Sequence, residues 1–73
     1  MKQYKAKSGI TGAVWKIEKK LGDVIVEGNV LMIIESMKME IPVIAEESGT
    51  IIEVCVAEGS SVAEGMVVMI IEQ

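Results

Sequence analysis

The chain has 73 residues, of which more than half are hydrophobic. This length suffices for one small domain, and we interpret residues 1–73 as a single domain with an unusually apolar core. Seven lysines and eleven acidic residues give a net charge of −4, and arginine and histidine are absent. This composition argues against nucleic-acid binding, which depends on basic side chains. It also lacks the usual general base and the commonest metal ligand, so we expect neither catalysis nor a metal site.

Eight short segments rich in β-branched residues follow one another along the chain. Their spacing predicts an all-β fold, either a flattened barrel or a two-sheet sandwich, without helices. The predicted strands are Gln3–Lys7, Gly12–Ile17, Val24–Val26, Val30–Ile34, Glu40–Ile44, Gly49–Val56, Ser61–Ala63 and Val67–Ile71. Glycine permits the positive φ angles of tight turns, and the glycines predicted to form structural turns are Gly12, Gly22, Gly28, Gly49, Gly59 and Gly65.

Two copies of one unit make up most of the sequence. Residues 12–35 align with residues 49–72 at an offset of 37, with nine identities in 24 positions. Both copies end in Met-Ile-Ile-Glu, at 32–35 and 69–72. Two copies are too few for a solenoid, so the repeat predicts one pseudo-symmetric domain.

The segment between the copies is predicted to form a hairpin with Met37 and Lys38 at its tip. In this register Ser36 lies opposite Met39, and Glu35 lies opposite Glu40. The alternation of side chains then predicts one core-facing set, consisting of Met32, Ile34, Ser36, Met39, Ile41 and Val43. Pro42 has no amide hydrogen to donate, which indicates that its strand lies at the edge of a sheet.

This hairpin breaks two local rules. Two-residue hairpins favour Asn-Gly and similar pairs rather than Met-Lys, because both positions require positive φ. Two carboxylates opposite each other are also mildly destabilising. Local conflicts of this kind often mark functional sites, although an ordinary solvated turn lysine is an alternative at this point.

Glu35-Ser36-Met37-Lys38-Met39-Glu40 strongly resembles the attachment motif of biotinyl domains, in which a lysine lies between two methionines. Together with the flanking repeats, residues 2–72 are similar to the biotinyl/lipoyl attachment family, including its free-standing members. The resemblance implies a flattened eight-stranded barrel of two four-stranded sheets related by a pseudo-twofold axis. No insertion separates the second and third strands, so the protruding thumb of some biotinyl domains is not expected.

The resemblance also implies a function. Lys38 would carry covalent biotin, attached by a biotin protein ligase, and the biotin would take a carboxyl group from a biotin carboxylase to a carboxyltransferase. The chain would then be a carrier and not an enzyme. The motif residues predicted to contribute to ligase recognition are Glu35, Ser36, Met37, Met39 and Glu40. Packing at the hairpin edge is the alternative for the methionines, and simple solvation is the alternative for the glutamates.

Two other functions use the same fold. A lipoyl carrier of a 2-oxo acid dehydrogenase or glycine-cleavage system would bear lipoate on Lys38, but lipoyl motifs lack the methionine pair. An unmodified hammerhead-like scaffold module would lack the lysine.

Cys55, between Val54 and Val56, is predicted to be a small buried thiol. The sequence carries no recognisable leader or membrane span, so we expect a cytoplasmic monomer that binds neither membranes nor nucleic acid.

Overall fold

The computed structural model describes residues 2–73, and Met1 lies outside the described part. It contains eight strands: β1 (Gln3–Lys7), β2 (Gly12–Ile17), β3 (Val24–Ile25), β4 (Val30–Ser36), β5 (Met39–Ile44), β6 (Gly49–Val54), β7 (Ser61–Val62) and β8 (Val67–Glu72). All eight predicted strands are confirmed, with small differences at their ends. Residues 2–73 contain no helix, and hence none that is long and apolar enough to cross a membrane.

The strands form two antiparallel four-stranded sheets. Sheet I has the order β1-β8-β6-β3, and sheet II has the order β5-β4-β2-β7. Six residues connect β2 to β3, and six connect β6 to β7, so neither connection carries an inserted thumb. Within residues 2–73, strands β1, β3, β5 and β7 each pair with one neighbour, so the predicted two-sheet fold is confirmed and its sheets are not closed into a barrel. Pro42 lies in the edge strand β5, as predicted, where a residue without an amide hydrogen is tolerated because one side of the strand has no partner strand among residues 2–73.

The repeat relates one sheet to the other. Adding 37 to the residue numbers converts β1–β4 into β5–β8, and it converts the strand order of sheet I into that of sheet II. Each sheet therefore takes two strands from each copy of the unit. The pseudo-twofold relation implied by the family resemblance is confirmed.

The core follows the same relation. The buried side chains between the sheets form seven pairs separated by 37 residues: Ala6 and Val43, Ser8 and Ala45, Val14 and Ile51, Ile25 and Val62, Leu31 and Val68, Met32 and Met69, and Ile34 and Ile71. Full burial of an aliphatic side chain contributes about 1.5–3 kcal/mol relative to leaving it exposed. Ser8 is the one polar member, and its hydroxyl donates to the carbonyl of Ile10. Each pair therefore has one member from each copy, and the two copies share one core.

The two ends of the described chain lie side by side. The amide of Gln73 donates to the carbonyl of Lys2 across 2.9 Å. Under the 37-residue relation these residues correspond to Ser36 and Met39, which flank the hairpin tip. The chain ends therefore occupy the symmetry equivalent of the hairpin.

Gly12 and Gly49 are not turn residues, so that part of the prediction is wrong. They begin β2 and β6, whereas Gly22, Gly28, Gly59 and Gly65 have φ angles of 86–96° and do occupy turns. A methyl group on Gly49 would lie 2.5 Å from the carbonyl oxygen of Glu72. Gly12 meets the carbonyl of Glu35 in the same way. Glycine is required at these two positions because the neighbouring strand passes too close for a side chain.

Cys55 is exposed, so the prediction of a buried thiol is wrong. The pairing of β6 with β8 contains a bulge between Ile51 and Glu53, which shifts the alternation of inward and outward side chains. Val54 and Val56 are half-buried, and the cysteine between them points outward. Partial burial of the sulfur nevertheless raises the pKa of Cys55, and the nearby negative charge of Glu53 raises this pKa further.

We expect Gly12→Ala to lower the free energy of unfolding by about 1–3 kcal/mol, because the added methyl forces β2 away from β4. Gly49→Ala should have a similar effect on β6 and β8. Gly9→Ala is the matched control, since no atom lies within 4 Å of the position of its added carbon. Urea unfolding measures all three variants. Equal stability of Gly12→Ala and Gly9→Ala would contradict the close-approach explanation.

We also expect Cys55 to react slowly with iodoacetamide despite its exposure. Its raised pKa lowers the thiolate fraction at any pH below that pKa, and the thiolate is the nucleophile. The pH profile of alkylation should have its midpoint above the ordinary cysteine value. Glu53→Gln should move this midpoint down only partway, because the contribution of burial remains. A midpoint unchanged by this substitution would show that Glu53 does not act on the thiol.

Candidate modification site at the hairpin between β4 and β5

The hairpin has the predicted register. Ser36 pairs with Met39, Glu35 with Glu40, and Ile34 with Ile41. Met37 and Lys38 have φ angles of 51° and 66°, which is the left-handed conformation at both central positions of a two-residue turn. A residue with a β-carbon pays about 1–2 kcal/mol in this conformation. The structure therefore maintains a backbone here that glycine would adopt at lower cost.

The tip projects three long side chains into solvent. Lys38 is exposed, Met37 is 92% exposed, and Met39 is 61% exposed. None of the side-chain hydrogen bonds among residues 2–73 involves Lys38. The amine is thus available to a partner and flanked by two flexible apolar side chains.

The core-facing set predicted for this hairpin is only partly correct. Met32, Ile34 and Val43 are buried, and Ile41 and Ser36 are half-buried. Met39 is exposed because it forms the last pair of the ladder, beyond the end of the core. The packing alternative for both methionines is therefore disfavoured.

Thr11 supports the base of the hairpin and was not predicted to do so. Its carbonyl accepts a hydrogen bond of 2.9 Å from the hydroxyl of Ser36, and its own hydroxyl accepts one of 3.0 Å from the amide of Glu64. The repeat contains the signal for this role, since Thr11 aligns with Ser48, whose hydroxyl accepts from the amide of Glu27 across 3.1 Å. Thr11 therefore ties β4 to the turn before β8.

Two carboxylates lie at the base of the tip. Glu35 and Glu40 lie opposite each other on the outer face of sheet II, and both are exposed. Exposed like charges repel only weakly in water, so the structure tolerates this arrangement, which offers a complementary surface to basic side chains of a partner.

The candidate site is a projection and not a cavity. A shallow cleft of about 700 Å³ lies between the edge strands β1 and β5, lined in part by Tyr4, Lys5 and Pro42. It includes none of the hairpin residues 35–40. Within residues 2–73, no three His, Cys, Asp or Glu side chains are grouped so as to hold a metal ion. The exposed amine of Lys38, at the end of the projecting hairpin, is therefore the candidate for covalent modification.

Most of the chain matches a known protein family. A profile of the biotin/lipoyl family, described as "Biotin-requiring enzyme", matches residues 5–71. The chain belongs to this biotin/lipoyl attachment family. The match covers both copies of the repeat and the hairpin that joins them.

Individual members of the biotin/lipoyl family resemble the chain over most of its length. A biotin/lipoyl attachment protein from Bacillus subtilis is 47% identical over 60 residues, which cover 82% of each protein. Urea amidolyase from Saccharomyces cerevisiae is 43% identical over 65 residues, which cover 89% of this chain but 4% of the yeast protein. The crystal structure of Kluyveromyces lactis urea carboxylase matches 99% of this chain with a TM-score of 0.92 and 32% identity, over 6% of its own length. The chain thus matches one short protein nearly throughout and a small part of two large enzymes.

We expect Lys38→Gly to be more stable than Lys38→Ala by about 1 kcal/mol, because only glycine adopts the left-handed conformation at this position without steric cost. Both variants remove the same exposed side chain, so their difference reports the backbone alone. Chemical denaturation measures it. Equal stability of the two variants would show that the turn relaxes and stores no strain.

Proposed function

We propose that this chain is a biotin carboxyl carrier in which residues 1–73 form one domain and biotin is joined to the Nζ atom of Lys38. The observation that carries the proposal is the position of Lys38 at the tip of a strained hairpin, exposed and flanked by exposed methionines. Membership of the biotin/lipoyl family supports it, as does the likeness to proteins named as carboxylases. These names favour biotin over lipoate as the attached group.

The residues present fit covalent attachment of a carboxylic acid. The neutral Lys38 amine would attack the carboxyl carbon of adenylated biotin supplied by the ligase. The C–N bond of the amide would form as the bond from this carbon to the AMP oxygen breaks, so AMP would leave and the surplus proton on the nitrogen would pass to a base of the ligase. The Lys38 side chain takes part in none of the side-chain hydrogen bonds of residues 2–73, so no such bond has to break before the amine reacts. Acylation removes one positive charge, so the net charge of −4 becomes one unit more negative.

The scaffold provides reach and position. Attached biotin would supply a ring nitrogen that carries a carboxyl group from one catalytic site to the other. The chain fixes the anchor of this group on a rigid two-sheet core, because β4 and β5 share six residue pairs directly below the tip. Tethering raises the effective concentration of the group at each site. The chain itself contributes position and no catalytic side chain.

The other motif residues take recognition roles in this proposal. Met37 and Met39 present flexible apolar surface to the ligase beside the reacting amine. Glu35 and Glu40 face basic side chains of the ligase. Ser36 has a positioning role, since its hydroxyl ties the hairpin to Thr11. The partners in this proposal are a biotin protein ligase, a biotin carboxylase and a carboxyltransferase.

We expect one biotinyl group to be added when the chain is co-expressed with a biotin protein ligase and excess biotin. Lys38→Arg should remove labelling completely, because the arginine guanidinium stays protonated and cannot act as the nucleophile. The exposed position of residue 38 makes the stability change smaller than about 0.5 kcal/mol. Intact mass and peptide mapping measure the labelling, and circular dichroism verifies the fold.

Each of the other outcomes would point to a different anchor or a different function. Labelling of a different lysine, with Lys38→Arg labelled as fully as the parent, would refute the anchor assignment. Failure with biotin, together with success in a matched reaction with a lipoate ligase, would assign the chain to lipoyl carriers. Failure with both groups would indicate an unmodified scaffold module.

A further inference from the structure

The two outer faces of the sandwich provide an internal comparison. They are related by the 37-residue repeat and have the same strand order, so each outward position on sheet I has a counterpart on sheet II. Sheet II bears the Lys38 hairpin, whereas sheet I bears the chain ends at the equivalent position. Differences between counterparts therefore show what distinguishes the face that carries the lysine from the face that does not.

The outer face of sheet II carries three neighbouring apolar residues at positions where sheet I carries two apolar residues and one lysine. In sheet II, Pro42 pairs with Ile33, and the bulge in β2 places both Trp15 and Lys16 opposite Ile33. We name Trp15, Ile33 and Pro42 the apolar stripe. The counterparts of these residues on sheet I are Ile52, Ile70 and Lys5.

Two neighbouring positions differ in the same direction, whereas at the far edge Ser61 of sheet II corresponds to the exposed Val24 of sheet I. Ala13 on sheet II corresponds to Thr50 on sheet I, and Ile44 corresponds to Lys7. Trp15 is 50% exposed and is the only tryptophan in the chain, whereas its counterpart Ile52 is 37% exposed. Exposed tryptophan within an apolar patch is the composition typical of the energetic centre of a protein interface.

The apolar stripe is continuous with the modification site. It lies on the same face as Glu35 and Glu40, two residues further along the strands, which is about 7 Å. Ile33 is four residues from Met37, so the stripe lies about 13 Å from the tip. A protein that encloses Lys38 thus meets the carboxylates first and the stripe next.

The length of the lysine side chain decides which partner must come this close. During ligation the amine has only its own four-carbon stem to bridge the distance to the ligase active site. After ligation the attached group extends this reach, so later partners need not approach the body of the domain as closely. The ligase is therefore the partner with the greatest need of a contact on the flanking sheet.

We infer that the outer face of sheet II, centred on the apolar stripe, is the docking surface for the biotin protein ligase, which would meet it with an apolar patch bordered by basic side chains. This inference rests on the proposed function. Recognition by the ligase would then use two surfaces of the chain: the hairpin presents the amine, and the apolar stripe supplies affinity.

The repeat suggests a test that preserves the scaffold. The double variant Trp15→Ile, Pro42→Lys gives sheet II the residues that sheet I already carries at the equivalent positions. We expect the kcat/KM of biotinylation by a biotin protein ligase to fall about tenfold, mainly through a higher KM, as for loss of an interface anchor. The control is Val24→Lys, Ile52→Lys, which removes two exposed apolar side chains from sheet I. Its kcat/KM should stay within about twofold of the parent value.

The outcomes separate this inference from the proposed function. If the parent chain accepts no biotin, the proposed function itself fails. If the parent is labelled and both double variants are labelled at the parent rate, or both slow down equally, the docking surface is refuted while the function stands.

A second measurement covers the case in which the sheet II variant does not fold. With the ¹⁵N-labelled parent and unlabelled ligase, the single indole resonance of Trp15 should shift or broaden on binding, while the amide of Ile52 should not. A complex that perturbs the hairpin amides and leaves Trp15 unchanged would overturn the inference.

Discussion

The structure depends on the exchange of strands between the two copies of its repeat. Because each sheet takes two strands from each copy, neither copy can bury its apolar side chains without the other. The seven buried pairs are the result: thirteen apolar residues and Ser8, held between two four-stranded sheets. A chain of this length gains its stability from having one shared core in place of two incomplete ones.

This shared core explains how the hairpin retains an unfavourable backbone at its tip. Gly12 allows β2 to approach β4 closely, and Thr11 holds Ser36 at the point where the ladder ends. The strain at Met37 and Lys38 lies just beyond these contacts, where surrounding structure fixes the backbone without covering the side chains. Position and exposure of the lysine thus have one origin, namely a rigid ladder that continues past the end of the core.

Much of this arrangement could be predicted from the sequence, because the repeat and the alternation of side chains carry it. The eight strands, the register from Ile34–Ile41 to Ser36–Met39 and the edge position of Pro42 all follow from these patterns. The orientation of Cys55 does not, since an apolar run contains no information about a bulge that changes its phase. The role of Gly12 also depends on the distance to a neighbouring strand rather than on local conformation. Open sheet edges instead of a closed barrel are likewise a property of packing that strand spacing leaves undetermined.

The hydrogen bond between Gln73 and Lys2 has a consequence for the topology of the backbone. These residues correspond to Ser36 and Met39, which two residues connect in the hairpin. A link of similar length between residues 73 and 2 would therefore make the backbone circular without disturbing either sheet. A Met-Lys link would give this ring a second lysine tip, related to the first by the pseudo-twofold axis. The scaffold thus has two equivalent positions for a lysine-bearing hairpin, and this chain has a hairpin at one of them.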